Sequence, residues 1–170
     1  MRRLRHQAGR AAPAPLQDRR VAAEGKSRLK LEIEREARVE NVSAFRAFVE
    51  DACRRAGVDE SVCFDLKLAV DEACSNLVVH GYKGRQPGPI GVSFAREGDE
   101  IVIIITDHAP PFHPDDAPLP RLDAPASERR PGGLGWHMIK QLVDRLEYDS
   151  DTENGNRLRM VKKVVPLQNG

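Results

Sequence analysis

The chain has 170 residues, 40% of them hydrophobic and 31% charged, enough for one domain with a real core plus tails but not for two comfortable domains. A formal net charge of +1 supplies no overall attraction for nucleic acid or an anionic membrane, and no run approaches the roughly 18 to 20 apolar residues of a membrane span. With no apolar secretory leader at the start, a cytoplasmic protein is expected.

Residues 1–30 hold nine Lys or Arg against two acids, with Pro13 and Pro15 and no apolar periodicity, so residues 1–28 read as a flexible basic tail before a domain over 29–166. "RLKLEIER" alternates Leu29, Leu31 and Ile33 with charged residues, the pattern of a half-buried strand. "NVSAFRAFVEDACRRAG" then spaces Val42, Phe45, Phe48, Val49, Ala52 and Ala56 as a helix, with Asn41 expected as its N-cap and Gly57 as its stop. A second helix is expected over 59–80 on Val62, Leu66, Ala69, Val70, Ala73 and Leu77. Cys53, Cys63 and Cys74 fall in these helices without a CxxC pair, so buried free thiols are expected rather than a disulfide or zinc site.

"IGVSFARE" and "DEIVIIITD" follow as two strands joined by a hairpin at Gly98-Asp99. The second is apolar at every position from Ile101 to Ile105, as when a layer covers each face. Between His108 and Pro131 there are seven prolines and no periodicity, too long for a plain connection, so a lid is expected over about 108–131. Gly132, Gly133 and Gly135 then lead into a helix on Leu134, Met138, Ile139, Leu142 and Val143. Glycines before a helix often mark a simple turn, but unpaired N–H groups and a positive dipole there also suit a phosphate. Two strands around Asn154-Gly155 close the chain. The order β-α-α-β-β-lid-α-β-β describes a two-layer α/β sandwich, with helices on one face of a mixed, mostly antiparallel sheet.

Within the second helix, Glu72, Asn76 and His80 stand four residues apart, one above another on nearly the same face. Alone, Glu72 is as well explained by a surface ion pair with a lysine, and Asn76 by an amide bonded to solvent. Asp107, the first charge after the apolar strand, is alone as well read as a turn-former.

Together these features resemble the GHKL ATPase superfamily, whose nucleotide site is the Bergerat fold. "DEACSNLVVHGY" is similar to its N box, "TDHAPPFHP" to the box after it, and "GGLGWHMIKQLVD" to its glycine-rich box. The E-A-x-x-N-x-x-x-H-x-Y form and the Pro-Phe after the aspartate are closest to the anti-sigma factor serine/threonine kinases. The resemblance covers about residues 30–165.

It implies an ATP-binding, Mg²⁺-requiring protein kinase. Glu72 would act as general base, Asn76 would hold Mg²⁺, and Asp107 would accept from the adenine amino group. The backbone of Gly132, Gly133, Leu134 and Gly135 would approach the phosphates, and Arg130 is a candidate phosphate contact; His80 is either such a contact or a helix-end residue bonding backbone. His108, His113 and His137 have no ligand-like spacing. The implied partners are an anti-anti-sigma (STAS) protein that receives the phosphoryl group, a sigma factor and a second copy in a homodimer, with no direct nucleic acid and no membrane.

Ala109 departs from the family's usual glycine two residues after the aspartate, where a positive φ would be costly for alanine. That leaves open a nucleotide-dependent binding module that sequesters its partner without kinase activity. A histidine-kinase catalytic domain would need an upstream phosphoacceptor, and residues 1–58 hold only His6. No GK[ST] P-loop is present.

Overall fold

The computed structural model describes residues 29–112, 133–151 and 153–165. The expected basic tail and most of the expected lid lie outside the described residues. The elements run β1 (Lys30–Glu36), α1 (Val39–Arg55), α2 (Glu60–Asn76), a π-helical turn (Leu77–Gly81), β2 (Pro89–Glu97), β3 (Glu100–Asp107), α3 (Gly133–Leu142), β4 (Arg145–Asp151) and β5 (Gly155–Lys163).

The five strands form one sheet in the order β1-β2-β3-β5-β4. Every pairing is antiparallel, so the parallel component of the expected mixed sheet is absent among the described residues. The register aligns Val92 with Ile105 and Phe94 with Ile103, and β5 continues the row with Leu158 and Met160. This face meets Phe45 and Val49 of α1, Leu66 and Val70 of α2, and Trp136 and Ile139 of α3 in one core cluster. Burial of such side chains contributes about 1.5–3 kcal/mol each and holds the two layers together.

All three described helices contribute to that one cluster, so the second covering layer expected from the run Ile101 to Ile105 is not found among the described residues. On the opposite face Val102 pairs with Ala95 and Val161, and Ile104 is only half-buried. The apolar character there reflects β-branched packing along a central strand. Arg145 flanks this strip through two hydrogen bonds to Glu100, at 2.9 and 3.1 Å.

α1 begins at Val39 with extended Arg38 before it, so Asn41 is not the N-cap. Asn41 lies inside the first turn, where its Nδ2 donates to the Glu36 carbonyl at 2.9 Å and ties the helix back to β1. The stop is where the sequence places it: Gly57 has φ +64, its N–H donates to Arg54 O, and the Val58 N–H reaches Cys53 O at 3.0 Å. Asp59 caps α2 by accepting from the N–H groups of Ser61 and Val62. Cys53 and Cys74 are buried free thiols, while Cys63 is half-buried. Burial pushes the Cys53 and Cys74 thiols up and keeps them protonated.

The second helix does not run regularly to residue 80. After Asn76 it widens into the π turn, in which the Tyr82 N–H donates to the Leu77 carbonyl, five residues back, at 2.9 Å. No helix among the described residues is long and apolar enough to cross a membrane.

Candidate nucleotide site

α2 buries Leu66, Ala69, Val70 and Ala73 and leaves Glu72 and Asn76 half-buried at the edge of its packed face. Both face the first turn of α3. A β-carbon on Gly135 would stand 2.6 Å from Glu72 Oε2 and 3.3 Å from Asn76 Nδ2, so the bare glycine leaves the space that these two side chains occupy. Glu72 has no ion pair among the described residues; Asp71 faces Arg46 and Lys67 faces Glu50 instead. His80 is exposed and lies within the wide turn that follows Asn76.

Asp107 ends β3 at 5% exposure. Its Oδ1 accepts from the Ala109 N–H at 2.9 Å and from Asn156 Nδ2 at 2.8 Å. Asn156 Nδ2 also donates to the Ala109 carbonyl at 2.8 Å, and two acceptors around one amide nitrogen fix which way that amide faces. Among the described residues no hydrogen bond to Asp107 Oδ2 is found. Burial raises the Asp107 pKa, opposed by the bonds from Asn156 and Ala109 and by the nearby His108.

Ala109 fits its place. Its buried methyl lies where a β-carbon on Gly81 would come within 3.2 Å, so the missing side chain at Gly81 makes room for the extra one at Ala109. The Tyr82 hydroxyl anchors the same loop, accepting from the His108 N–H at 2.9 Å and donating to the Pro89 carbonyl at 3.1 Å. Gly88 leaves space for that ring: a β-carbon there would stand 2.5 Å from Tyr82 Cε1.

Of the glycine-rich box, Gly133 and Leu134 open α3 and Gly135 meets the N-box helix; Gly132, Arg129, Arg130 and His113 lie outside the described residues. Two described residues on either side of that gap touch. The Phe112 and Trp136 rings meet edge to face with centroids 6.0 Å apart, and the Phe112 N–H donates to the Tyr148 hydroxyl at 3.0 Å. His137 lies 3.2 Å from Gln141, and His108 is exposed beside Gly155.

No group of three or more His, Cys, Asp or Glu that could cage a metal occurs among the described residues. The neutral, half-buried Asn76 amide suits Mg²⁺, which keeps much of its water and takes few protein ligands beside phosphates.

Two residues of this neighbourhood escaped the sequence reading, Asn156 and Tyr148, while Tyr82 was read only as the last residue of the N-box motif. The readable signal was Asn156 itself, a polar side chain in phase with inward-facing Leu158 and Met160.

The sequence profile of the histidine kinase-like ATPase domain family matches residues 35–162. A serine-protein kinase RsbW of Halalkalibacterium halodurans is 34% identical over 120 residues, 68% of this chain and 73% of that one. An anti-sigma F factor of Clostridium botulinum is 32% identical over 103 residues, 58% of this chain and 69% of that one. Among solved structures, the RsbU and RsbW domains of a Mycobacterium tuberculosis protein share the fold, with a TM-score of 0.57 and 21% identity over 79% of this chain. The match spans about a third, 32%, of that longer chain.

Proposed function

The chain belongs to the histidine kinase-like ATPase family, in its anti-sigma serine-kinase branch, and on that footing we propose that it is a Mg²⁺-dependent serine/threonine protein kinase acting on an anti-anti-sigma (STAS) protein. The domain is one that binds ATP. The observation that carries the kinase reading is the meeting of Glu72 and Asn76 with Gly135: a carboxylate, an amide and the first turn of a helix converge on one space.

Each group has a task suited to its chemistry. Asp107 Oδ2 accepts from the amino group of the base. The backbone N–H groups at the start of α3 would hold the phosphates of a bound nucleotide. Asn76 contributes a neutral oxygen toward Mg²⁺, which when bound neutralises phosphate charge. Glu72 takes the proton of the attacking serine or threonine hydroxyl as the new O–P bond forms and ADP departs. A sigma factor sequestered by a cytoplasmic homodimer, and released when the STAS protein docks, completes the reading. It draws on the anti-sigma F factor likeness.

Labelled ATP, Mg²⁺ and STAS proteins of the same organism, incubated with wild type and Glu72→Gln, test it. The variant is expected to bind Mg-ATP nearly normally and to lose transfer by about 10² or more. Transfer by Glu72→Gln at the wild-type rate would remove the general base; no transfer by wild type would leave a sequestering module.

A further inference from the structure

The only tyrosine of the core-facing row of β4 lies across one strand from Asp107. Tyr148 pairs with Leu158 and Leu158 with Ile105, while Asn156 pairs with both Ser150 and Asp107. Tyr148 and Asp107 therefore project from the same face with β5 between them. Asn156 and Leu158 of β5 project from that face between them, and the Asp107 charge is near enough to act on the Tyr148 phenol. The Tyr148 oxygen already accepts the Phe112 N–H at 3.0 Å, which directs the hydroxyl toward the loop that follows Asp107. Among the described residues its own proton has no acceptor. Tyr82, the other tyrosine beside this loop, has spent its proton on Pro89. Burial raises the Tyr148 pKa, opposed by the Phe112 N–H and reinforced by the Asp107 charge, so the phenol stays neutral and can donate.

Resting on the nucleotide reading above, we infer that Tyr148 is a base-recognising residue whose hydroxyl donates to a ring nitrogen flanking the 6-amino group of the purine, N1 or N7. Asp107 Oδ2 accepts and Tyr148 donates. That pair complements an amino group beside a ring nitrogen and opposes a 6-oxo group, whose oxygen would face the carboxylate.

Calorimetric titration of wild type and Tyr148→Phe with ATP, 1-deaza-ATP and 7-deaza-ATP tests this. Wild type is expected to lose about tenfold in affinity for one analogue, the one that lacks the contacted nitrogen. Tyr148→Phe is expected to bind ATP about tenfold more weakly and to bind that same analogue no worse than ATP. The inference is overturned if Tyr148→Phe keeps wild-type affinity for ATP. It is equally overturned if the variant weakens ATP and both analogues by one factor, since Tyr148 then only anchors Phe112. Asp107→Asn, measured alongside, separates the two readings. Weakened binding there with no Tyr148 discrimination removes only the Tyr148 contact, whereas unchanged binding removes the base site as a whole.

Discussion

Gly135 and Glu72 are packed so closely that any side chain at Gly135 would fall on the carboxylate, 2.6 Å from Oε2. The atom in the way is the tip of a flexible side chain, so the helices need not separate to admit a methyl group. Alanine also favours a helix over glycine by about 0.5–1 kcal/mol. Gly135→Ala is therefore expected to keep its thermal midpoint and yet lose transfer at least about tenfold, because Glu72 is displaced from its working position. A variant several degrees less stable would show that the backbone yields instead.

The fit of Ala109 against Gly81 yields a compensation test. Gly81→Ala places a methyl group 3.2 Å from both the Ala109 methyl and Leu77 Cδ2 and should destabilise by about 1–3 kcal/mol. In combination with Ala109→Gly, the part of that loss due to the Ala109 contact should return, with a coupling of about 1 kcal/mol in urea unfolding. Strictly additive effects would mean that the two residues relax independently.

Acidity should act on the nucleotide site through Asp107. Burial raises its pKa in the folded protein, so the folded state binds more protons than the unfolded one between the ordinary aspartate value and the raised one. Its contribution to stability is thus complete below the unfolded pKa and is lost as pH rises through the folded pKa. With Asp107 as the proposed adenine acceptor, nucleotide binding runs the other way, since that role calls for the ionised carboxylate. ATP and ADP affinity should fall together on acidification, at a pH above the normal aspartate range. Asp107→Asn should bind both more weakly and show no such pH dependence in the same titrations.

Asn156→Ala removes two donors at once and leaves Asp107 Oδ1 and the Ala109 carbonyl short of a partner in a buried place. A loss of about 1–3 kcal/mol in unfolding free energy is expected, with weaker ATP binding and an acid midpoint moved further up. Asn156→Ser keeps one donor and should recover part of both. Equal behaviour of the two variants would show that the bond to Asp107 is incidental.

What could be read from the chain alone follows the range of the interactions. Gly57 and the alternation of Leu31 and Ile33 were legible because a turn and a strand face are decided by neighbours in sequence. The cap of α1 was misjudged because Asn41, a strong capping type, found a better acceptor at Glu36, in the strand before it. The π turn has no sequence pattern of its own, so the regular helix expected to residue 80 ends at Asn76 instead. Glu72, Asn76 and Asp107 stood out by spacing and by resemblance. Asn156 did not, since its partner lies 49 residues away and only the β3–β5 register brings them together. Tyr148 depends on that register and on the next.

Trp136 is the sole tryptophan of the chain, and it sits in the first turns of α3, directly after the glycine that meets Glu72 and Asn76. Its indole is 8% exposed, its ring abuts Phe112, and its Nε1 is buried without a hydrogen-bond partner among the described residues. The protein thus carries a built-in optical probe at the junction of two of its sequence boxes. Ultraviolet emission from this one fluorophore reports any shift of α3 against the N-box helix, without dye, label or engineered residue.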